Sequence, residues 1–173
     1  MKKLKKNSAE NLQPRSASES NVEMNDIVLP SHANALGTIF GGVLMSWIDI
    51  AAAICAQRHS RRIAVTASVD ALNFLAPIMI GDMVTLLARV VHTGKTSMTI
   101  AVNVTTQNPL TGVKKECVTA YLSFVALDSA KKPTEVPPLI LKTKLEKANY
   151  AWAARRRETL LKQMKQQKRS KPS

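Results

Sequence analysis

The chain has 173 residues, 45% of them hydrophobic, and a formal net charge of +13, which suits one domain with a real core and leaves no room for several. Residues 1–20 carry a net +3 and residues 129–173 a net +10, while residues 21–128 hold seven acidic and seven basic side chains and are neutral. A neutral body argues against a folded face that grips nucleic acid, and leaves nucleic acid or an anionic membrane as partners of the basic ends alone.

Residues 1–20, "MKKLKKNSAENLQPRSASES", are polar and without period, and read as a disordered basic arm. Their lysines are followed by no apolar stretch, so a secretory signal is not expected and the location is taken as cytoplasmic. A short strand over 22–30 ends at Pro30, and the turn-forming "SHANALGTIFGG" leads into an apolar helix over 41–58. In "GTIFGGVLMSWIDIAAAICA", residues 37–56, Asp49 is the one charged side chain. A helix so apolar on nearly all sides must be surrounded. The run 39–56 is long enough to raise a membrane span, but Asp49 near its centre, the Gly41-Gly42 pair and the β-rich sequence that follows favour a buried helix in a soluble core.

After "QRHSRR" the pattern changes. "IAVTASVDALNFLAP", "DMVTLLARVVHTG", "SMTIAVNVTTQNP" and "KKECVTAYLSFVALD" are rich in β-branched and aromatic residues, with "PIMIGD" and "NPLTG" as turns between them. The order strand, helix, four strands implies an α+β fold with an antiparallel sheet wrapped around the helix. Domain boundaries fall at 1–20, 21–128 and 129–173. Past the proline-rich "SAKKPTEVPPL", residues 142–168 have helical composition, with Leu145, Ala148, Trp152 and Leu160 roughly on one face. That helix reads either as partly docked or as a tether, with Tyr150 and Trp152 as its contacts. Cys55 and Cys117 have no metal-type spacing and read as buried free thiols in a reducing compartment.

Phosphate-loop, dinucleotide, His-Glu-x-x-His and Gly-x-Ser-x-Gly motifs are all absent, and His32, His59 and His92 are not spaced as a metal site. Asp49 is the strongest single candidate, because a carboxylate on an apolar helix is costly unless paired or open to a cleft. An ion pair with Arg58 or Arg89, or a subunit contact, explains it equally well on chemistry alone. Ser46 shares its face, but no histidine is placed to activate it. Gly41 and Gly42 start the helix, where unpaired backbone N–H groups can stabilise a developing negative charge on a carbonyl oxygen; tight helix–sheet packing would favour glycine there too. Seven residues of helix separate Gly42 from Asp49, about 10 Å at ~1.5 Å per residue, so both cannot touch one carbonyl carbon within a single chain. Two chains related by a dyad can meet that requirement.

"LPSHANALGTIFGGVLMSWIDIAAAICAQRHSRR" followed by "VTASVDALNFLAPIMIGD" resembles the hotdog-fold acyl-CoA thioesterases, in particular the bacterial short-to-medium-chain and cytosolic brain-type acyl-CoA hydrolases. The likeness covers about residues 22–128 and rests on the spacing Asn34, Gly41-Gly42, Asp49, on "RHSRR", "VTASVD" and "TSM". It implies a central helix wrapped by a five-stranded antiparallel sheet, with the active site at a dimer interface and a trimer of dimers as the fuller assembly. Asp49 would be the catalytic carboxylate, Asn34 would complete the site from the partner subunit, and Gly42 would give an oxyanion N–H. Coenzyme A contacts would fall on Ala67, Ser68, Val69, Thr96, Ser97 and Met98, with Arg58, His59 and Arg61 as partners for its phosphates. Thr38 departs from the Asn or Asp of some relatives. The resemblance implies no metal and no cofactor beyond the coenzyme A carried by substrate and product, and it does not extend to the basic ends. Acyl-chain length would depend on a tunnel affected by Met45, Trp47 and Leu72. The competing reading is a non-catalytic hotdog module that senses acyl-CoA and binds nucleic acid or membrane through its tails.

Overall fold

The computed structural model describes residues 12–169, so residues 1–11 and 170–173 lie outside the account that follows. In chain order the elements are β1 (Arg15–Ser16), β2 (Val22–Ile27), α1 (Gly41–Ser60), β3 (Ile63–Phe74), β4 (Met83–Thr93), β5 (Ser97–Gln107), β6 (Lys114–Leu127), β7 (Leu139–Ile140) and α2 (Lys144–Arg169). Five strands form one antiparallel sheet in the order β2-β4-β5-β6-β3, and β1 pairs with β7 in a separate parallel ribbon.

The sheet curls around α1. Leu44, Ile48, Ala51, Ala52, Cys55 and Ala56 of the helix are buried against Val84, Leu86, Ile100, Val102, Val118, Leu122 and Phe124 of the sheet. Alternation along β4 and β6 places one side chain in two on the helix. Each fully buried Leu, Ile or Phe contributes about 1.5–3 kcal/mol, so this layer dominates the fold's stability. Cys55 and Cys117 are buried and free, and burial pushes the Cys55 thiol up to about 12, which keeps it protonated and inert.

The turns follow their chemistry. Gly81, at φ +88°, closes the β3–β4 connection. At the β5–β6 hairpin, Asn108 Oδ1 accepts from the N–H groups of Leu110 and Thr111 at 2.9 and 3.0 Å, and Gly112 takes φ +69°.

Three expectations need correction. The arm expected without structure acquires it from Arg15 onward: Ser16 and Glu19 form a capping box around a short 3₁₀ turn, Ser16 and Ser20 are buried, and Arg15 Nη1 donates to the His59 carbonyl at the end of α1 at 3.0 Å. A cation at a helix C-terminus satisfies carbonyls that the helix cannot.

The second correction concerns α1, which is not surrounded within one chain. Met45, Ile50 and Ile54 on its flank are exposed, as are Ile63 (65%), Val65 and Val69 along the neighbouring edge strand β3. A long apolar edge strand beside an apolar helix flank is an unfinished surface.

The third concerns α2, which lies on the outer face of the sheet but only in part by the face expected. Leu145 and Ala148 are exposed, while Ala153 is buried with Val91 and Ala101 against Tyr121, and Trp152, one of the two contacts expected, packs on Tyr121 at 4.4 Å. Tyr150 donates its hydroxyl to the Thr93 carbonyl at 3.1 Å and packs on the His92 ring at 4.6 Å. Val91, Ala101 and Tyr121 make a small apolar patch on the sheet's outer face, and the helix docks on it by a small residue and by aromatic side chains rather than by its leucines. No described helix is long and apolar enough to cross a membrane.

Candidate active site

Asp49 lies in the middle of α1, half-buried, on the flank that turns toward β3. Thr66 Oγ1 of β3 donates to Asp49 Oδ1 at 2.6 Å. Neither arginine suggested as its partner reaches it: Arg58 Nη1 donates to the Asn21 carbonyl and Arg89 Nη2 to Asn103 Oδ1. Among the described residues the ion pairs are Lys95–Glu135 and Lys162–Glu158, so Asp49 stands without a cation. Within its own chain, therefore, Asp49 is not an ion-pair member. Ser46 Oγ donates back to the Val43 carbonyl at 2.8 Å, which ties it to the helix.

At the start of α1 the N-cap is Phe40, which offers no side-chain cap. Val43 and Leu44 N–H donate to the Phe40 carbonyl at 3.0 and 3.2 Å, leaving Gly41 and Gly42 N–H unclaimed among the described residues. A Cβ on Gly42 would lie 2.9 Å from Phe40 Cε1, and one on Gly41 3.7 Å from Phe74 Cζ. Two exposed phenyl rings thus flank a pair of free amides, an apolar frame in which a hydrogen bond to an anionic oxygen gains strength. Beside it is a cavity of about 280 Å³, lined by Thr38, Ile39, Leu44, Phe74 and the 75–78 turn.

Asn34 organises the approach to these glycines. Its Oδ1 accepts from Leu36 N–H at 2.9 Å and its Nδ2 donates to Thr38 Oγ1 at 2.9 Å. The amide keeps one N–H to offer outward. Thr38, which departs from the Asn or Asp of some relatives, is the partner that holds Asn34 in place.

The residues expected to touch coenzyme A divide into two groups. Ala67, Ser68 and Val69 are exposed at an irregularity of β3, where the register to β6 shifts on either side of Ser68–Val69. Thr96 is half-buried in the β4–β5 turn, and Arg58 and Arg61 are exposed at the end of α1. The side chains of the other three are buried. Met98 is fully buried in the core and Ser97 is 4% exposed, because the register of β5 turns Met98 onto α1; only their backbone remains for a ligand. His59 is fully buried, its Nε2 3.1 Å from the Pro137 carbonyl and its Nδ1 3.3 Å from Ser20 Oγ. Burial, reinforced by Arg15, pushes its pKa down, so it is a neutral structural residue and not a phosphate partner.

Thr66 is the site residue that sequence reasoning passed over. It lies inside "VTASVD", but only the packing of β3 on α1 shows that its hydroxyl meets Asp49.

A helix wrapped by an antiparallel sheet, with a carboxylate, a hydroxyl and a glycine turn set on it, is the arrangement that the resemblance to the hotdog-fold thioesterases implies. Comparison with known proteins agrees. The Thioesterase superfamily matches residues 36–113. The uncharacterized acyl-CoA thioester hydrolase YkhA of Bacillus subtilis is 43% identical over 132 residues, 76% of this chain and 77% of that protein. A crystal structure of an apo-hexameric acyl-CoA thioesterase superposes with a TM-score of 0.85 at 38% identity, covering 88% of this chain and 97% of the other. An acyl-CoA hydrolase from Staphylococcus aureus, solved in complex with butyryl coenzyme A, coenzyme A and coenzyme A disulfide, gives 0.84 at 36% identity, covering 90% and 95%. The chain belongs to the acyl-CoA thioester hydrolases of the Thioesterase superfamily.

Proposed function

We propose that this enzyme hydrolyses acyl-CoA thioesters to the free acid and coenzyme A, with Asp49 as the reacting carboxylate and the Gly42 N–H of a second chain stabilising the thioester oxygen. The observation that carries this is Asp49 itself: the one charged side chain of α1 before Arg58, without a cation in its own chain, and held by Thr66. A structural ion-pair member would have a partner; a catalytic group must be free to react.

Water attacks the carbonyl carbon while Asp49 takes its proton, or Asp49 attacks first and water resolves the mixed anhydride. In both routes negative charge builds on the carbonyl oxygen, where the unclaimed amide N–H meets it. Asn34, with its one uncommitted N–H, orients the water or the carbonyl. The leaving thiol has a pKa of about 8.5, so it departs without a dedicated general acid. Single turnover in isotopically labelled water reports the anhydride when water opens it at the Asp49 carboxyl carbon, which leaves label in that carboxylate and an unlabelled oxygen from Asp49 in the released acid.

The helix distance between Gly42 and Asp49, about 10 Å, supports a site whose two halves come from different chains. A second copy laid against the exposed flank of Met45, Ile50, Ile54 and β3 covers that apolar surface and brings one chain's glycine turn to the other's Asp49. A dyad-related pair is the unit, and the hexamer of its structural relative is the expected assembly.

The test is thiol release from an acyl-CoA panel running from acetyl to palmitoyl. Turnover that vanishes in Asp49→Ala, with assembly intact, supports the reading. Near wild-type turnover in that variant overturns it.

A further inference from the structure

We infer that the C-terminal helix is part of the substrate site: Arg155 and Arg156, beside the Trp152 ring, hold the phosphate-bearing nucleotide end of coenzyme A. The inference rests on the acyl-CoA reading and gives a ligand to a segment that the reading leaves without a role.

The strand β3 links the two places. Thr66 points toward α1 and Asp49. The register shift that follows turns the next residues to the other face of the sheet: Ser68 Oγ donates to Asp70, and Asp70 Oδ2 accepts from Ser123 Oγ at 2.7 Å. Ser123 lies between the core residues Leu122 and Phe124 and so faces outward, toward α2. From Thr66 to Asp70 the strand advances about 13 Å at ~3.3 Å per residue, within the reach of a pantetheine arm that starts at Asp49.

At Asp70 the chain meets α2. Arg156 Nη2 donates to the Asp70 carbonyl at 2.7 Å, and its guanidinium lies 5.5 Å from the centre of the Trp152 ring. Trp152 in turn packs on Tyr121 at 4.4 Å and keeps one face exposed. Arg156 Nε is buried without an acceptor among the described residues. A shallow groove of about 400 Å³ runs along the helix here, lined by Trp152, Arg155, Arg156, Thr159, Leu160 and Gln163. Among the described residues no carboxylate lines it. Glu158 is paired with Lys162 at 2.8 Å, and both Asp70 oxygens accept serine hydroxyls.

These contacts dock the helix yet leave Arg155 exposed and Arg156 and Trp152 partly so, and two guanidiniums beside an indole suit phosphates joined to a planar base. Coenzyme A carries both at the end opposite its thiol. Nucleic acid and anionic lipid offer phosphates too, but neither would account for a groove one strand's length from a thioester site.

The experiment uses the full chain with Arg155→Gln, an exposed position whose loss leaves the fold intact, and Arg156→Gln as a second variant. KM and kcat are measured for butyryl-CoA, butyryl-dephospho-CoA and butyryl-pantetheine, and binding of free coenzyme A by calorimetry. Arg155→Gln should raise KM for butyryl-CoA about tenfold, equivalent to ~1.4 kcal/mol, with kcat unchanged and butyryl-pantetheine kinetics untouched. A tenfold effect that persists with dephospho-CoA places the contact on the diphosphate, and one that disappears places it on the ribose phosphate; both support the site. Unchanged coenzyme A affinity in both variants overturns it. So does equal weakening of the pantetheine substrate, or arginine-dependent binding of RNA or phosphatidylserine vesicles while coenzyme A affinity stays at wild type. Should the chain prove unable to hydrolyse acyl-CoA, the calorimetric arm still decides the phosphate site by itself.

Discussion

Thr66 Oγ1 donates a 2.6 Å hydrogen bond to Asp49 Oδ1, joining the edge strand β3 to the centre of α1. The hydroxyl occupies one carboxylate oxygen and fixes the plane of the other. In a general-base or nucleophilic role the free oxygen must face the substrate, so Thr66 acts as a positioning residue for Asp49.

Thr66→Val should therefore lower kcat about tenfold, roughly the loss of one hydrogen bond to a charged group, with KM little changed. Thr66→Ser should keep most of the activity. Steady-state kinetics on a single acyl-CoA distinguish the two, and equal rates for Val and Thr at this position would contradict the role.

Asp49→Asn should cost far more. Loss of a general base typically removes about 10²–10⁴ in rate, while the amide still fits the half-buried site beside Thr66. Thermal unfolding is expected to change little, and size-exclusion chromatography should report the wild-type assembly.

The glycine turn allows a finer comparison. Gly42→Ala retains the N–H but brings a Cβ to 2.9 Å from Phe40 Cε1; Phe40 is 57% exposed and can swing aside, so stability should hold while substrate approach suffers. Gly42→Pro removes the N–H, which the first turn of a helix tolerates. If the amide stabilises the oxyanion, Gly42→Pro should lower kcat by about 10²–10³ and Gly42→Ala by much less. Similar rates for the two variants would move the oxyanion contact elsewhere.

Acidification should destabilise the fold. Burial pushes the pKa of His59 down, as does Arg15 nearby; His92 is likewise pushed down by burial and by Arg157. Below about pH 6.5 the unfolded chain then binds more protons than the folded one. The stability these neutral rings contribute is complete above that pH and is lost as the pH falls toward their folded values. Urea midpoints measured in steps from neutral pH downward should decline, and His59→Gln should flatten part of the slope.

Much of this molecule was legible in its residues. Alternation in "DMVTLLARVVHTG" and "KKECVTAYLSFVALD" marked half-buried strands, and the Ala-rich run with Gly41-Gly42 at its head marked the central helix, because these patterns are local. Burial of Met98 and His59 was not legible. Both depend on register across the sheet and on how β1 and β7 close over the end of α1, and such contacts leave no local periodicity. The docked face of α2 was legible only in part: Tyr150 and Trp152 make the contacts expected of them, but Leu145 and Ala148 stay exposed because the outer-face patch of Val91, Ala101 and Tyr121 takes Ala153 instead. Thr66 escaped notice because threonine is ordinary in a strand; its role arises only where β3 passes Asp49.

The claim that each active site is shared between two chains is tested most directly by subunit mixing. Asp49→Ala and Gly42→Pro chains, each inactive alone, are unfolded together and refolded as a mixture. Half of the resulting dyad pairs are mixed, and one of the two sites in each is intact, so the account predicts recovery of about a quarter of wild-type thioesterase activity. A mixture no more active than its parents, with mixed pairs confirmed by mass spectrometry, would contradict it.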